Sequence, residues 1–174
     1  MSKLLLNIEK HDIDILKMLN LKIKCSFLDK FMTYITYIGS VPFGVLFCLI
    51  SLILTRFSTN LFGFKLTLAM LLSTFLSNTI KKSVNRIRPY IKLSNLNAIK
   101  IGVDNYSFPS GHTTSAFTMS VMLSLFFPKL SPLFIILSTL VGISRIYLGV
   151  HYPTDAAFGT FLGSLCSIII FKLT

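Results

Sequence analysis

Residues 131–173 read SPLFIILSTLVGISRIYLGVHYPTDAAFGTFLGSLCSIIIFKL. Two apolar runs, 131–148 and 154–173, each near the ~20 residues that a bilayer span requires, meet at a turn marked by Pro153. At that junction stand Arg145, His151 and Asp155. Ionisable groups are costly in such surroundings, so the stretch reads both as membrane helices and as a place where chemistry is done.

The rest of the chain has the same character. Of 174 residues, 53% are hydrophobic and 13% charged, with a mean hydropathy of +0.74. A soluble domain of this length has no interior large enough for so much apolar surface, and the expected solvent is a bilayer. The 16 Phe and 6 Tyr exclude disorder. Cys25, Cys48 and Cys166 form neither a metal spacing nor a disulfide framework. The net charge of +11 comes without a basic surface helix or a basic patch interleaved with aromatics. Anionic lipid head groups, rather than nucleic acid, are therefore the expected partner. No obligate protein partner is indicated, and residues 4–6 are too short an apolar stretch for a cleavable signal.

Outward from the quoted stretch, residues 3–20 place Leu4, Leu5, Ile8, Ile15, Leu16 and Leu19 on one face. This predicts an amphipathic helix in the membrane interface, within an interfacial segment 1–28. Residues 27–56 predict one span kinked near Gly39 and Pro42. Ser58-Thr59-Asn60 reads as a tight turn, and 61–80 as a second span whose Lys65 snorkels to the interface. After a long polar stretch, 89–110, come 113–127, 131–148 and 154–173. The first of these is short for a span, so its start is expected to lie recessed below the membrane surface. Gly159-x-x-x-Gly163, with Ala156 and Ala157, gives the last helix a small-residue face for close packing. The predicted fold is a single all-α domain over 1–174, a polytopic membrane helix bundle of about five transmembrane helices plus the N-terminal interfacial helix.

With alternating spans, three polar constellations fall on one membrane face. Lys81 and Arg88 are seven residues apart, which on a helix puts two cations on one stripe, with Pro89 as the stop. They can converge on a phosphate dianion or simply hold head groups together with Lys82 and Arg86. Ser110-Gly111-His112 opens an apolar helix: Ser110 is a natural N-cap, Gly111 allows close backbone approach, and free N–H groups there attract anions. An ordinary capped helix start is the plainer alternative. In Ser144-Arg145-x5-His151-x3-Asp155, Asp155 can accept one imidazole N–H and leave the other nitrogen of His151 as a neutral nucleophile. A structural Arg145–Asp155 pair closing two helices is the alternative there.

Taken together, Lys81-x6-Arg88-Pro89, Pro109-Ser110-Gly111-His112 and Ser144-Arg145-x5-His151-x3-Asp155 resemble the three-part signature of the type 2 phosphatidic acid phosphatase (PAP2) superfamily, over residues 81–155. The resemblance implies an integral-membrane lipid phosphatase working through a phosphohistidine. In that scheme His151 attacks phosphorus, Asp155 orients it, and His112 protonates the leaving oxygen and then activates water. Lys81, Arg88, Arg145, Ser110 and Gly111 bind the phosphoryl oxygens. Cations and dipoles aimed at equatorial oxygens are also what a loose phosphoryl-transfer transition state requires. Two-metal chemistry needs a carboxylate cluster that this face cannot assemble, so neither metal nor cofactor is expected. The competing reading is a small helical transporter or scaffold whose charges serve topology and head-group binding.

The resemblance offers prenyl diphosphates and glycerophospholipid phosphates as substrates; nothing in the sequence chooses the head group. Orientation carries a conflict. Of the 17 Lys and Arg, all but Arg56, Lys65, Lys129 and Lys172 fall on the active face, which by the positive-inside rule is cytoplasmic. The short bacterial members that this chain resembles mostly act on the outer leaflet, and the resemblance places the active site of this multi-pass cell-membrane protein on the extracytoplasmic face.

Overall fold

A computed structural model describes residues 3–56 and 61–174, with side chains from Leu6 onward. The helices, in order, are α1 (Lys3–Lys17), α2 (Ser26–Thr36), α3 (Val41–Thr55), α4 (Phe62–Val84), the single turn α5 (Pro89–Lys92), α6 (Gly111–Phe126), α7 (Ser131–Tyr147) and α8 (Pro153–Leu173). No strand occurs among the described residues, so the chain is all-helical as expected. The turn expected at Ser58-Thr59-Asn60 lies outside the described residues.

Helix α6 is the centre. It packs against α8, α7 and α4, and α3 touches its flank. Its own sequence explains the position: Thr113, Thr114, Thr118 and Ser120 are buried with Phe117, Met119 and Met122, so no side of the helix is left for lipid. Small residues let α8 come close. A Cβ on Gly159 would fall 2.8 Å from the Ser110 carbonyl oxygen, and one on Gly163 would fall 2.4 Å from that of Thr114. Hydroxyls then bond across the contacts: Thr118 Oγ1 donates to Ser73 Oγ at 3.0 Å and Ser167 Oγ to the Thr118 carbonyl at 2.8 Å. Small residues and hydroxyls are what hold helices together where burial of apolar surface gives no advantage over lipid. The outward faces are apolar: Val45, Leu49 and Ile53 on α3, Leu71 and Phe75 on α4, Ile136 on α7 and Phe161 on α8 are all exposed.

Two helical stretches, Pro128–Tyr147 and Pro153–Leu173, are each long and apolar enough to cross a membrane, and the bent pair Ser26–Gly39 plus Val41–Thr55 makes a third if it is one span. The kink expected in 27–56 is a true break. Ser40 N-caps α3 through the Phe43 N–H at 3.4 Å, and α2 and α3 meet at 49°. Helix α4 has the length, but it faces its neighbours with Ser73, Ser77 and Lys81, which lowers its hydropathy. Helix α6, at 16 residues, extends only about 24 Å.

Local expectations are corrected at the end of α4 and on α1. Lys81 and Arg88 do not share a helix stripe, because α4 ends at Val84, where Asn85 takes a left-handed conformation (φ 51°) and its N–H bonds the Lys81 carbonyl. Pro89 then begins α5 instead of stopping α4. Lys65, near the start of α4, reaches the C-terminal end of α8, where it donates to the Phe171 carbonyl at 3.2 Å and lies over the Phe171 ring. On α1 the grouping of apolar residues also splits: Leu16 is buried against Ile146, Tyr152 and Ala156, whereas Ile8 and Ile15 are exposed.

Candidate active site

The three constellations do meet, at the end of the bundle where α4 and α7 finish and α6 and α8 begin. The chain between α5 and α6 lies across this end and is fastened to it. The Ser107 N–H bonds the Arg86 carbonyl at 2.9 Å, and the Ile99 N–H bonds that of Leu148 at 3.1 Å. Beneath it is a cavity of about 140 Å³ whose wall includes Lys81, Arg88, Gly111, His112, His151 and Asp104.

Arg88 is held from three sides although it stands in extended chain. Its Nη1 donates to the Val150 carbonyl at 2.9 Å, its Nε to the Asp104 carbonyl at 2.7 Å, and its Nη2 to Asp104 Oδ1 at 2.5 Å. Lys81 Nζ donates to the other oxygen of the same carboxylate at 2.7 Å. The two cations therefore converge, through the loop and not through helical periodicity. Partial burial works against the charge on Asp104, but Lys81 and then Arg88 outweigh it and hold the carboxyl below its usual range.

His151 is almost fully buried. Its Nε2 lies 3.2 Å from Arg88 Nη1, and its Nδ1 lies 3.5 Å from Asp155 Oδ2. A guanidinium can only donate, so Nε2 must carry the lone pair and Nδ1 the proton. Burial first, and then the positive charges of Arg145, Arg88 and Lys81, push the His151 pKa well below its ordinary value. The residue is a neutral imidazole whose Nε2 lone pair accepts from Arg88 at the cavity wall. Asp155 is fixed at the start of α8: its Oδ2 accepts the Tyr152 N–H at 2.8 Å and its Oδ1 accepts from Arg86 Nη1 at 2.6 Å.

His112 opens α6 behind the Ser110 cap and faces the cavity from the other side, its Nε2 buried without a hydrogen-bond partner among the described residues. Gly102 (φ +55°) backs the ring; a Cβ there would come within 2.8 Å of His112 Cε1. Ser110 and Arg145 do not line the cavity. The Ser110 hydroxyl accepts from Thr113 Oγ1 at 2.9 Å. The Arg145 guanidinium turns to Thr36 Oγ1 and the Ile101 carbonyl, both at 2.9 Å. Arg145 and Asp155 are not paired, so the structural pair considered from sequence does not form.

A lone pair on a buried neutral histidine, aimed at two converging cations, is the signature carried by residues 81–155. It extends over a larger match: the PAP2 superfamily model covers residues 62–174. The chain belongs to the PAP2 superfamily. Among curated relatives of this PAP2 protein, the bacitracin transport permease protein BcrC of Bacillus licheniformis is 34% identical over 83% of this chain and 68% of its own length. An undecaprenyl-diphosphatase of Sulfolobus acidocaldarius is 33% identical over 64% of this chain, which spans about half of that relative (54%). The crystal structure of a transmembrane PAP2 type phosphatidylglycerolphosphate phosphatase from Bacillus subtilis matches with a TM-score of 0.81 and 27% identity, over 96% of this chain and 86% of that one.

Sequence reasoning missed Asp104, Arg86 and Asp12. Asp104 could have been suspected as one of only two acids after Asp29. Arg86 reads from sequence as one more head-group cation, and no spacing rule ties it to Asp12.

Proposed function

We propose that this PAP2 protein hydrolyses the terminal phosphate of a prenyl diphosphate or a glycerophospholipid phosphate through a phosphohistidine on His151. That it is a membrane lipid phosphatase follows from its family and relatives. The observation that carries the mechanism is the approach of Arg88 Nη1 to His151 Nε2 at 3.2 Å, which puts the lone pair on Nε2 in the cavity that Lys81 also lines.

Nε2 attacks phosphorus while the bond to the leaving oxygen breaks, and His112, carrying a proton, hands it to that oxygen. Asp155 takes the hydrogen bond of Nδ1–H and balances the cationic phosphohistidine. His112, now neutral, removes a proton from water as the water displaces His151 from phosphorus. Lys81, Arg88 and the backbone at Gly111 hold the phosphoryl oxygens, with Arg145 and Ser110 supporting that wall from behind it. No step calls for a metal or cofactor.

The lipid tail has a place to go. An apolar groove of about 310 Å³ between α3 and α4, lined by Val45, Cys48, Leu49, Met70 and Leu71, shares Val41, Thr74 and Ser115 with the cavity. In the full reading the bent α2–α3 pair, α4, α6, α7 and α8 are five spans, α1 lies in the interface, and the site opens to the extracytoplasmic face. That orientation rests on the resemblance to the short bacterial members; the count of Lys and Arg favours the opposite one.

Phosphate release by the purified protein, from undecaprenyl diphosphate, phosphatidylglycerol phosphate and phosphatidate in mixed micelles, tests the reading. His151→Ala serves as the blank. Turnover of one lipid with an acid-labile phosphoenzyme is expected; no turnover of any lipid phosphate overturns it. Labelling of a cysteine placed at Ser94 by an impermeant reagent on intact cells tests the orientation.

A further inference from the structure

Arg86 is not on the cavity wall, yet it is bound as fully as Arg88, which is. Its Nη1 donates to Asp155 Oδ1 at 2.6 Å and to Thr154 Oγ1 at 2.7 Å, and its Nη2 donates to Asp12 Oδ2 at 2.7 Å. The guanidinium lies over the Tyr152 ring, 4.0 Å from its centre. Asp12, 2% exposed, belongs to α1, and its carboxylate also accepts the Thr154 N–H at 2.9 Å and the Thr154 hydroxyl at 2.5 Å. A line of polar contacts therefore runs from the amphipathic helix towards the nucleophile: Asp12, Arg86, Asp155 and, 3.5 Å beyond, His151 Nδ1.

Asp155 is fully buried, and an isolated carboxylate at such depth takes a proton instead of remaining an acceptor. Arg86 supplies the compensating cation from the side away from His151. It engages Oδ1 and leaves Oδ2 to the Tyr152 N–H and the imidazole. Only a planar fork can bridge two carboxylates and a hydroxyl at once; an ammonium would hold one or two of them. We propose that Arg86 is a positioning residue for the His151–Asp155 pair, and that Asp12 keeps Arg86 in place, so that α1 is wired to the catalytic pair. The proposal rests on the phosphohistidine reading above. It makes α1 part of the site: loosening α1 from the membrane interface withdraws Asp12, frees Arg86 and slows formation of the phosphohistidine without touching the phosphate pocket.

The test compares wild type, Arg86→Ala, Arg86→Lys, Asp12→Ala and the double variant R86A/D12A in detergent. The readouts are kcat, KM, vanadate inhibition and melting temperature. Misplacing a reacting group by an ångström costs about 10²-fold, so Arg86→Ala should lose about that in kcat with vanadate affinity changed less than about threefold. Arg86→Lys should recover about tenfold of the loss, and Asp12→Ala should lose about tenfold. Because Asp12 acts through Arg86, the double variant should be no slower than Arg86→Ala, whereas independent sites would add. Near-normal kcat in Arg86→Ala, or a loss of vanadate affinity as large as the loss of kcat, overturns the positioning role. Additive losses, or an unchanged kcat in Asp12→Ala, overturn the link to α1. If Arg86→Ala does not fold, Arg86→Lys decides the positioning role and Asp12→Ala decides the link to α1 by the same measurements. Absence of turnover in the wild type would sink the functional reading itself; an active wild type with an equally active Arg86→Ala would sink only this inference.

Discussion

Where α4 begins and α6 and α8 end, Cys48, Phe62, Leu66, Ala69, Met119 and Met122 close a core against Phe126, Ile170 and Phe171, with the Phe62, Phe126 and Phe171 rings edge to face. At the opposite end of the bundle, Arg88, Arg145, His151 and Asp155 are buried as deeply. The apolar end is held by shape, and its loss is a matter of volume. The polar end is held by partners: nearly every charge has a fixed counterpart, while His112 Nε2, Arg145 Nε and His151 Nδ1, the last 3.5 Å from Asp155 Oδ2, are left without a hydrogen-bond partner among the described residues. Unmet donors and acceptors are expensive when buried, and a bundle that among its described residues tolerates them only at its cavity end has reserved that end for a ligand. One end makes the fold, and the other makes use of it.

Substitutions at the two ends should therefore fail differently. The largest effect is expected from His151→Ala, which should lower kcat by at least about 10⁴-fold and abolish the phosphoenzyme, as loss of a nucleophile does elsewhere. Because a buried polar group is removed, its melting temperature should hold or rise; a thermal scan beside the assay checks both. Next is Asp155→Asn, which keeps the shape but offers the imidazole a donor. A kcat loss of about 10³–10⁴-fold is expected, with vanadate affinity nearly unchanged, and near-normal kcat would refute the orienting role.

The apolar end should break the other way. Met122→Ala is expected to cost about 2–5 kcal/mol of stability, read by denaturation in detergent, with kcat per folded molecule unaltered. A matching loss of kcat would mean that the two ends are not separable. A smaller effect concerns Asp104, whose carboxylate sits between Lys81 and Arg88 where phosphoryl oxygens are proposed to bind. Asp104→Asn removes that competing charge and should tighten vanadate inhibition by about tenfold, the worth of roughly 1.4 kcal/mol; weakened inhibition would mean that Asp104 organises the cations instead.

The smallest is a pH effect. His151 has a depressed pKa in the folded protein, so below the ordinary histidine value of about 6.5 the unfolded chain binds a proton that the native state does not. The stability contributed by a neutral His151 is complete above that value and is lost progressively as pH falls below it. Melting temperature should decline on acidification from pH 7 to 5, less steeply in His151→Gln than in the wild type.

Much of this was legible in the residues alone. Length and hydropathy dictate an all-helical membrane protein, because no soluble interior could hold the apolar surface. The spacing of Gly159 and Gly163 marked a close helix contact, which the Ser110 and Thr114 carbonyls confirm. Ser110 was readable as a cap, since its hydroxyl serves N–H groups a few residues on. The relation of His151 to Asp155 was readable because both stand within one turn of the same helix start. All these are local matters, in which a few neighbouring residues and the solvent decide the outcome.

The convergence of Lys81 with Arg88 was right in result and wrong in cause. Periodicity assumed an unbroken helix, and the left-handed Asn85 together with the folded-back loop carrying Asp104 produced the same meeting by another route. The inward turn of Asp12, the bridge at Arg86 and the retreat of Arg145 behind the cavity wall depend on partners far along the chain, 69 residues apart for Arg86 and Asp155 and 109 for Arg145 and Thr36. A charge in a sequence announces that it must be compensated if it is buried. Which opposite charge compensates it is decided by the packing of helices, because Coulomb and hydrogen-bond energies follow distance in space and not distance along the chain.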